Sequence, residues 1–257
     1  MSQQSEKAPP IVRFENLCKS YGNGPLVLKD LNLDVAKGEF VSLVGPSGCG
    51  KSTILKTLCG LTPHSSGIVT VDGMVPIDAR EASFFVFQDA NLLPWLRVQA
   101  NVELPLKIKG QSKEKRSKTA SKMIKLVGLS DADDKFPWQL SGGMRMRVSI
   151  ARALSVGPSI LLLDEPFGAL DEMTRDRLNE DLLQIKEEDP FTAFFVTHSV
   201  AEAVFLSTRI VVLSANPGEI AEIIDIPFDF PRTAELRETP QYLELLAKAT
   251  HALRSVE

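Results

Sequence analysis

Between the apolar run FVSLV (40–44) and the helix-like run ILKTL (54–58) stands GPSGCGKST, residues 45–53. No other stretch restricts the fold as much, because it demands a strand before it and a helix after it. Gly45, Gly48 and Gly50 let the backbone turn tightly with its N–H groups inward, and the following helix adds its positive end. The loop Gly45, Pro46, Ser47, Gly48, Cys49, Gly50 therefore suits polyanionic phosphate without a pocket of side chains. Lys51 would reach the β- and γ-phosphates, Ser52 would ligate Mg²⁺, and Thr53 would begin the helix. Cys49, between two glycines at a helix N-terminus, reads either as a thiol activated toward alkylation or as a small residue tolerated in the loop.

The rest of the chain fits an α/β protein. IVRFENL (11–17) and LNLDV (31–35) predict antiparallel strands joined by a turn at Gly22, Asn23, Gly24 and Pro25. EFVSLV (39–44) predicts a buried strand, with IVTVDG and SFFVFQ as further strands. From Asn91 to about Asp134 the pattern turns helical, with Pro94 and Pro105 as breaks, which predicts a helical insertion. ILLLD (160–164), TAFFVT (192–197) and RIVVLS (209–214) then alternate with helices, as in a parallel sheet covered on both faces. GEIAEIIDI predicts a last strand, and Arg232 to Glu257 a polar helical tail.

Composition removes several alternatives. The formal net charge of −4 lacks the basic excess of a chain held on nucleic acid by phosphate contacts, so no nucleic-acid partner is expected. Cys18, Cys49 and Cys59 form no CxxC pair, so neither a disulfide framework nor a zinc site is expected. No apolar run is long enough for a membrane span, and MSQQSEKAPP lacks a secretory core, which places the chain in the cytoplasm. The eight Lys and Arg between Lys107 and Lys125, with Glu114 as the single acid, read as a solvated helix face, with anionic lipid contact as the alternative.

Two further segments carry chemistry. In ILLLDEP, Asp164 emerges at the end of a buried strand and suits Mg²⁺, directly or through water. Glu165 beside it suits the base that accepts a proton from an attacking water. In LSGGMRMRVSIARAL, Ser141 predicts an N-cap, and Gly142 and Gly143 expose backbone N–H groups at the start of an amphipathic helix. Taken alone, that segment is a capped helix.

GPSGCGKS, LSGGM, ILLLDEP, GALD and FFVTHS, in this arrangement, resemble the ATP-binding subunit of ATP-binding cassette (ABC) transporters. The resemblance runs from about Ile11 to Gly218. It implies a P-loop ATPase with ATP and Mg²⁺ as cofactors, a mainly parallel core sheet, an N-terminal antiparallel β subdomain and a helical insertion. In that family two cassettes face head to tail around two ATP molecules. Ser141, Gly142 and Gly143 would then contact the γ-phosphate held by the partner. Tyr21 matches the aromatic that stacks on adenine, and Gln88 the glutamine that senses magnesium and water. Asp171 matches the segment that signals across the dimer, and His198 the histidine that bonds the γ-phosphate and holds Glu165. Met144 and Met146 depart from the family's glutamines and cannot give the same hydrogen bonds.

The resemblance further implies an importer motor on the cytoplasmic face of a bacterial inner membrane, working with separate permease subunits and, indirectly, a substrate-binding protein. The second cassette is another copy or a paralogue. QDANLLPWLRVQANVELPLKIKG, LSGGM and VVLSANPGEI look most like the subgroup importing nitrate, sulfonates and taurine, with bicarbonate or pyrimidine precursors as other cargoes. A soluble, non-transport ABC ATPase is the rival. The expected organisation is a disordered tail (1–10), a cassette (11–231) with its insertion at about 91–157, and a short helical tail (232–257). Trp95 in LLPW is expected either as an exposed anchor for the permease or as core packing.

Overall fold

The computed structural model describes residues 9–256, so most of the expected N-terminal tail, residues 1–8, lies outside the described residues. The chain opens with β1 (Val12–Ser20) and β2 (Leu26–Val35), followed by β3 (Phe40–Val44), helix α1 (Lys51–Leu58), β4 (Ser66–Val71) and β5 (Ser83–Val86). The helical insertion comprises α2 (Val98–Ile108), α3 (Lys113–Leu126) and α4 (Gly142–Leu154). The core resumes with β6 (Ile160–Asp164), α5 (Glu172–Glu188), β7 (Thr192–Val196), α6 (Val200–Leu206), β8 (Arg209–Leu213) and β9 (Ile220–Asp225). Helix α7 (Pro240–Arg254) closes the described chain.

β1 pairs antiparallel with β2 and β4, forming a three-stranded sheet in the order β2-β1-β4. The larger sheet runs β5-β6-β7-β3-β8-β9. All of its pairings are parallel except that of the edge strand β9, which runs antiparallel to β8. Continuous apolar strands belong in a sheet buried on both faces, because alternate side chains enter opposite layers. β6 shows this: Leu161 and Leu163 join one buried cluster with Phe40, Phe195 and the helical insertion, while Ile160 and Leu162 join another with α1 and the antiparallel sheet.

This topology creates the site. Parallel strands place all their C-terminal ends on one edge, and the neighbouring ends of β6, β7 and β3 bring together segments that are distant in sequence. The loop after β3 is the glycine-rich segment, β6 ends on Asp164, and His198 lies two residues beyond β7.

Two local expectations need correction. α1 begins at Lys51 rather than Thr53, because Gly50, at φ 100°, performs the left-handed entry that starts the helix at once. Pro105 does not break the insertion but lies within α2. It sits in the last turn of a helix that ends at Ile108, where its missing N–H costs little further structure.

Candidate functional site

The glycine-rich loop is built by close packing as much as by flexibility. Gly45 and Gly50 both adopt positive φ, and a Cβ on Gly50 would lie 2.4 Å from Leu28 Cδ2. Lys51 is buried, and its Nζ donates to the carbonyl oxygens of Gly45 at 2.7 Å and Pro46 at 2.8 Å. The first-turn N–H groups of α1 have no intrahelical acceptor and point into the same loop. Cys49 is only 1% exposed, with its sulfur 3.7 Å from Lys51 Nζ, which fits a packed small residue and not an accessible reactive thiol.

Ser52 Oγ donates to Asp164 Oδ1 at 2.9 Å, joining the start of α1 to the end of β6. Burial raises the Asp164 pKa and nearby Glu165 adds to the rise, while the Ser52 hydrogen bond and the Lys56 and Lys51 charges oppose it. Among the described residues no group of three or more His, Cys, Asp or Glu could hold a metal unaided. A donor set of one hydroxyl and one carboxylate suits magnesium, which keeps water and phosphate oxygens as its remaining ligands.

Glu165 adopts φ 50°, and its N–H donates to Val196 O at 3.0 Å, so the chain turns sharply as it leaves β6. Its Oε1 lies 2.7 Å from His198 Nε2. A proton on Nε2 makes that contact a hydrogen bond to the carboxylate and fixes its direction. Gln88, just beyond β5, lines a cavity of about 380 Å³ together with Glu165, Gly168 and His198. A Cβ on Gly168 would come within 3.2 Å of Gln88 Nε2, so only a glycine leaves that amide unhindered.

Of three further sequence-predicted residues, Tyr21 stands beside the phosphate loop, while Ser141 and Asp171 stand at the starts of α4 and α5. Tyr21 is half exposed, with Lys19 Nζ 4.6 Å from its ring centre and its hydroxyl 3.4 Å from Thr53 Oγ1. Ser141 caps α4 by accepting from Met144 N at 3.3 Å. Asp171 caps α5 by accepting from Thr174 N at 3.0 Å, and this hydrogen bond lowers its pKa. The α4 and α5 starts touch: Cβ atoms on Gly142 and Gly143 would meet Leu170 and Thr174, each at 3.1 Å.

Sequence reasoning missed four residues around this site. Asn101 is fully buried and binds Leu93 N through its carbonyl oxygen, while its amide donates to Leu93, Leu96 and Arg97 carbonyls, pinning the loop that carries Trp95. Arg152, near the end of α4, holds the carbonyls of Asn91 and Ala90 at 2.8 and 2.9 Å. Arg175 and Glu202 line the cavity behind Glu165, and burial raises the Glu202 pKa. A polar residue on an apolar helix face is the only signal the sequence offers for any of them. Trp95 itself is 68% exposed, which removes core packing as its role.

A model described as ABC transporter matches residues 28–168. The chain belongs to the ABC transporter family. The taurine import ATP-binding protein of Yersinia pestis is 46% identical over 206 residues, covering 80% of each chain. The bicarbonate transport ATP-binding protein of a Synechocystis strain is 47% identical over 250 residues, covering 94% of this chain and 38% of that protein. A dimeric ATP-binding cassette solved in a post-hydrolysis state with ADP and Pi superposes with a TM-score of 0.73 at 37% identity, covering 85% of this chain and 100% of the other. The chain is thus an ATPase cassette, with the fold that its motifs imply. Among the described residues no helix is long and apolar enough to cross a membrane.

Proposed function

We propose that this cassette is the ATP-hydrolysing motor of a bacterial importer for a small anionic solute, working as one of two cassettes beneath a separate permease. The observation that carries the reading is the gathering of Ser52–Asp164 and Glu165–His198 pairs, at 2.9 and 2.7 Å, on the strand edge that carries the phosphate loop. When bound, MgATP supplies the scissile phosphoric anhydride bond with part of its charge neutralised. Ser52 and Asp164 would hold the magnesium, with Gln88 as a further ligand or water contact. The loop amides and Lys51, whose Nζ here donates to the Gly45 and Pro46 carbonyls, would grip the phosphates. Glu165 accepts the proton of the attacking water, and His198 keeps its carboxylate aimed. Tyr21 offers its exposed ring to adenine. The Ser141–Gly143 helix end faces the phosphate held by the second cassette, and Asp171 lies beside it to report closure.

Taurine import and bicarbonate transport in the relatives support a sulfonate-like or bicarbonate-like cargo. An apolar groove of about 670 Å³, walled by Leu61, Phe85, Phe87, Leu104 and Ile108, offers a seat for the permease, with Trp95 exposed on the neighbouring loop. Such a seat would hold the cassette peripherally, on the cytoplasmic face of the inner membrane. Gentle extraction of native membranes with the tagged chain tests the proposal. A hydrophobic permease recovered with two cassettes supports it, and uptake of taurine, other sulfonates, nitrate and bicarbonate can then be compared. Recovery solely in the soluble fraction, with nucleic acid or ribosomes, overturns the import reading and leaves the ATPase assignment intact.

A further inference from the structure

His198 is the middle residue of a three-residue turn between β7 and α6, so whatever fixes that turn also fixes the imidazole. The neighbouring Thr197 is buried, and its Oγ1 accepts the N–H of Ser199 at 2.9 Å. A hydroxyl has one proton to give, and Thr197 gives it to Glu202 Oε2 in a short hydrogen bond. Glu202 is 5% exposed, and its N–H donates in turn to Ser199 Oγ at 3.3 Å. Its carboxylate therefore clamps the turn from within.

The other oxygen looks toward a different element. Glu202 Oε1 and Arg175 Nε stand 3.7 Å apart, too far for a hydrogen bond, and the buried amide of Asn179 faces the same carboxylate. Arg175 belongs to α5, and its Nη2 donates to Leu170 O at 2.9 Å, directly before Asp171. Leu170 is also the side chain that packs under Gly142. An approach of less than about 1 Å would complete the Arg175–Glu202 bond. A carboxylate buried this deeply without full pairing costs more in desolvation than an apolar side chain of equal volume.

We propose that Glu202 and Arg175 are positioning residues that tie the Asp171 loop to His198, so that movement of that loop sets where the imidazole stands beside Glu165. Movement of Leu170 and Asp171 pulls Arg175, Arg175 changes its hold on Glu202, and Glu202 shifts the 197–199 turn through Thr197. The proposal rests on the roles given above to Glu165 and His198.

The chain has three histidines, His64, His198 and His251, so imidazole NMR of the full-length protein resolves the effect without nucleotide. Glu202→Gln keeps size and an acceptor for Thr197 but loses the charge facing Arg175; Thr197→Val removes the hydroxyl, and Thr197→Ser restores it. The His198 resonance, assigned with His198→Ala, should move in Glu202→Gln and Thr197→Val and return in Thr197→Ser, while the His64 and His251 resonances stay in place. In ATP hydrolysis, Glu202→Gln and Arg175→Gln should each lower kcat by about tenfold or more with KM within about twofold, as a misplaced catalytic group does. The double variant should be no slower than the worse single one, because both substitutions cut the same tie. An unmoved His198 resonance, losses that multiply in the double variant, or a rise in KM at constant kcat would each overturn the proposal. Should Glu202→Gln not fold, the Thr197 pair still decides it. If His198→Ala hydrolyses ATP at the normal rate, the role given to His198 fails, and the resonances still report whether the tie exists.

Discussion

Gly218→Ala should weaken nucleotide binding although Gly218 belongs to no phosphate-binding motif. A Cβ at this position would lie 2.0 Å from Cys49 O and 3.2 Å from Val27 O. Since Cβ atoms in proteins essentially never stand closer than about 3 Å to such an oxygen, something must move by about 1 Å. Residue 218 cannot retreat freely, because its N–H donates to Val27 O at 2.9 Å and its carbonyl accepts from Lys29 N at 3.0 Å. The displacement therefore falls on Cys49 and Gly50, whose backbone forms the phosphate loop. Overpacking of this size costs about 1–3 kcal/mol. For a chain of this length that lowers Tm by about 2–12 °C. Misaligning one charge-assisted N–H bond to phosphate costs about 1.5–3 kcal/mol, which is a tenfold to hundredfold loss of affinity. The assay is calorimetric titration with ATP beside a thermal melt. Gly67→Ala is the matched control: its Cβ would lie 2.3 Å from Asn16 O, at φ +89°, in the antiparallel sheet. It should lose stability and retain affinity. Normal ATP affinity in Gly218→Ala, at any Tm, would refute the argument that this loop backs the phosphate site.

Three other outcomes are expected. Glu165→Gln keeps the shape of the side chain but not the base, so hydrolysis should fall by about 10²–10⁴-fold while ATP still drives a dimer seen by size-exclusion chromatography. Trp95→Ala removes an exposed side chain, so basal ATPase should remain within about twofold while co-purification with the permease falls, as for an interface anchor. Arg232→Met should destabilise the fold by about 2–5 kcal/mol, measured by urea unfolding, since it leaves the buried Phe205 and Ser207 carbonyls without the donor that now serves both. Burial lowers the Arg232 pKa to about 10, so the guanidinium stays charged at neutral pH and the loss should be nearly constant between about pH 6 and 8.

Elements with a strong period were legible in the sequence. FVSLV, ILLLD and TAFFV became β3, β6 and β7, neighbours in the larger sheet, because unbroken apolar runs belong to buried parallel strands. The glycine loop was legible because its chemistry is local: the backbone freedom, the lysine and the hydroxyl lie within nine residues. Pro105 was misread because a proline's effect depends on how much helix follows, which a local pattern does not show. Asn101, Arg152, Arg175 and Glu202 were invisible for another reason. Each acts by filling the hydrogen-bonding needs of a segment elsewhere, as when Arg152 reaches back to Ala90 and Asn91. Such pairings follow from packing, and neither spacing nor residue type announces them.

The two methionines of the signature show how position decides what a departure means. Met146 is buried in the core cluster, so a glutamine there would need buried partners for its amide, and methionine fills the space without that requirement. Met144 packs partly against the same cluster, while its backbone N–H still serves the Ser141 cap. The groups proposed to face the partner's phosphate are main-chain groups of Ser141, Gly142 and Gly143, which a methionine side chain at 144 or 146 leaves in place at the helix start. What orients those groups is contact with α5, where Leu170 and Thr174 would meet Cβ atoms on Gly142 and Gly143 at 3.1 Å. That same Leu170 carries the carbonyl held by Arg175. The start of the signature helix therefore packs on the same short loop that the proposed Arg175–Glu202 tie would link to the turn of His198.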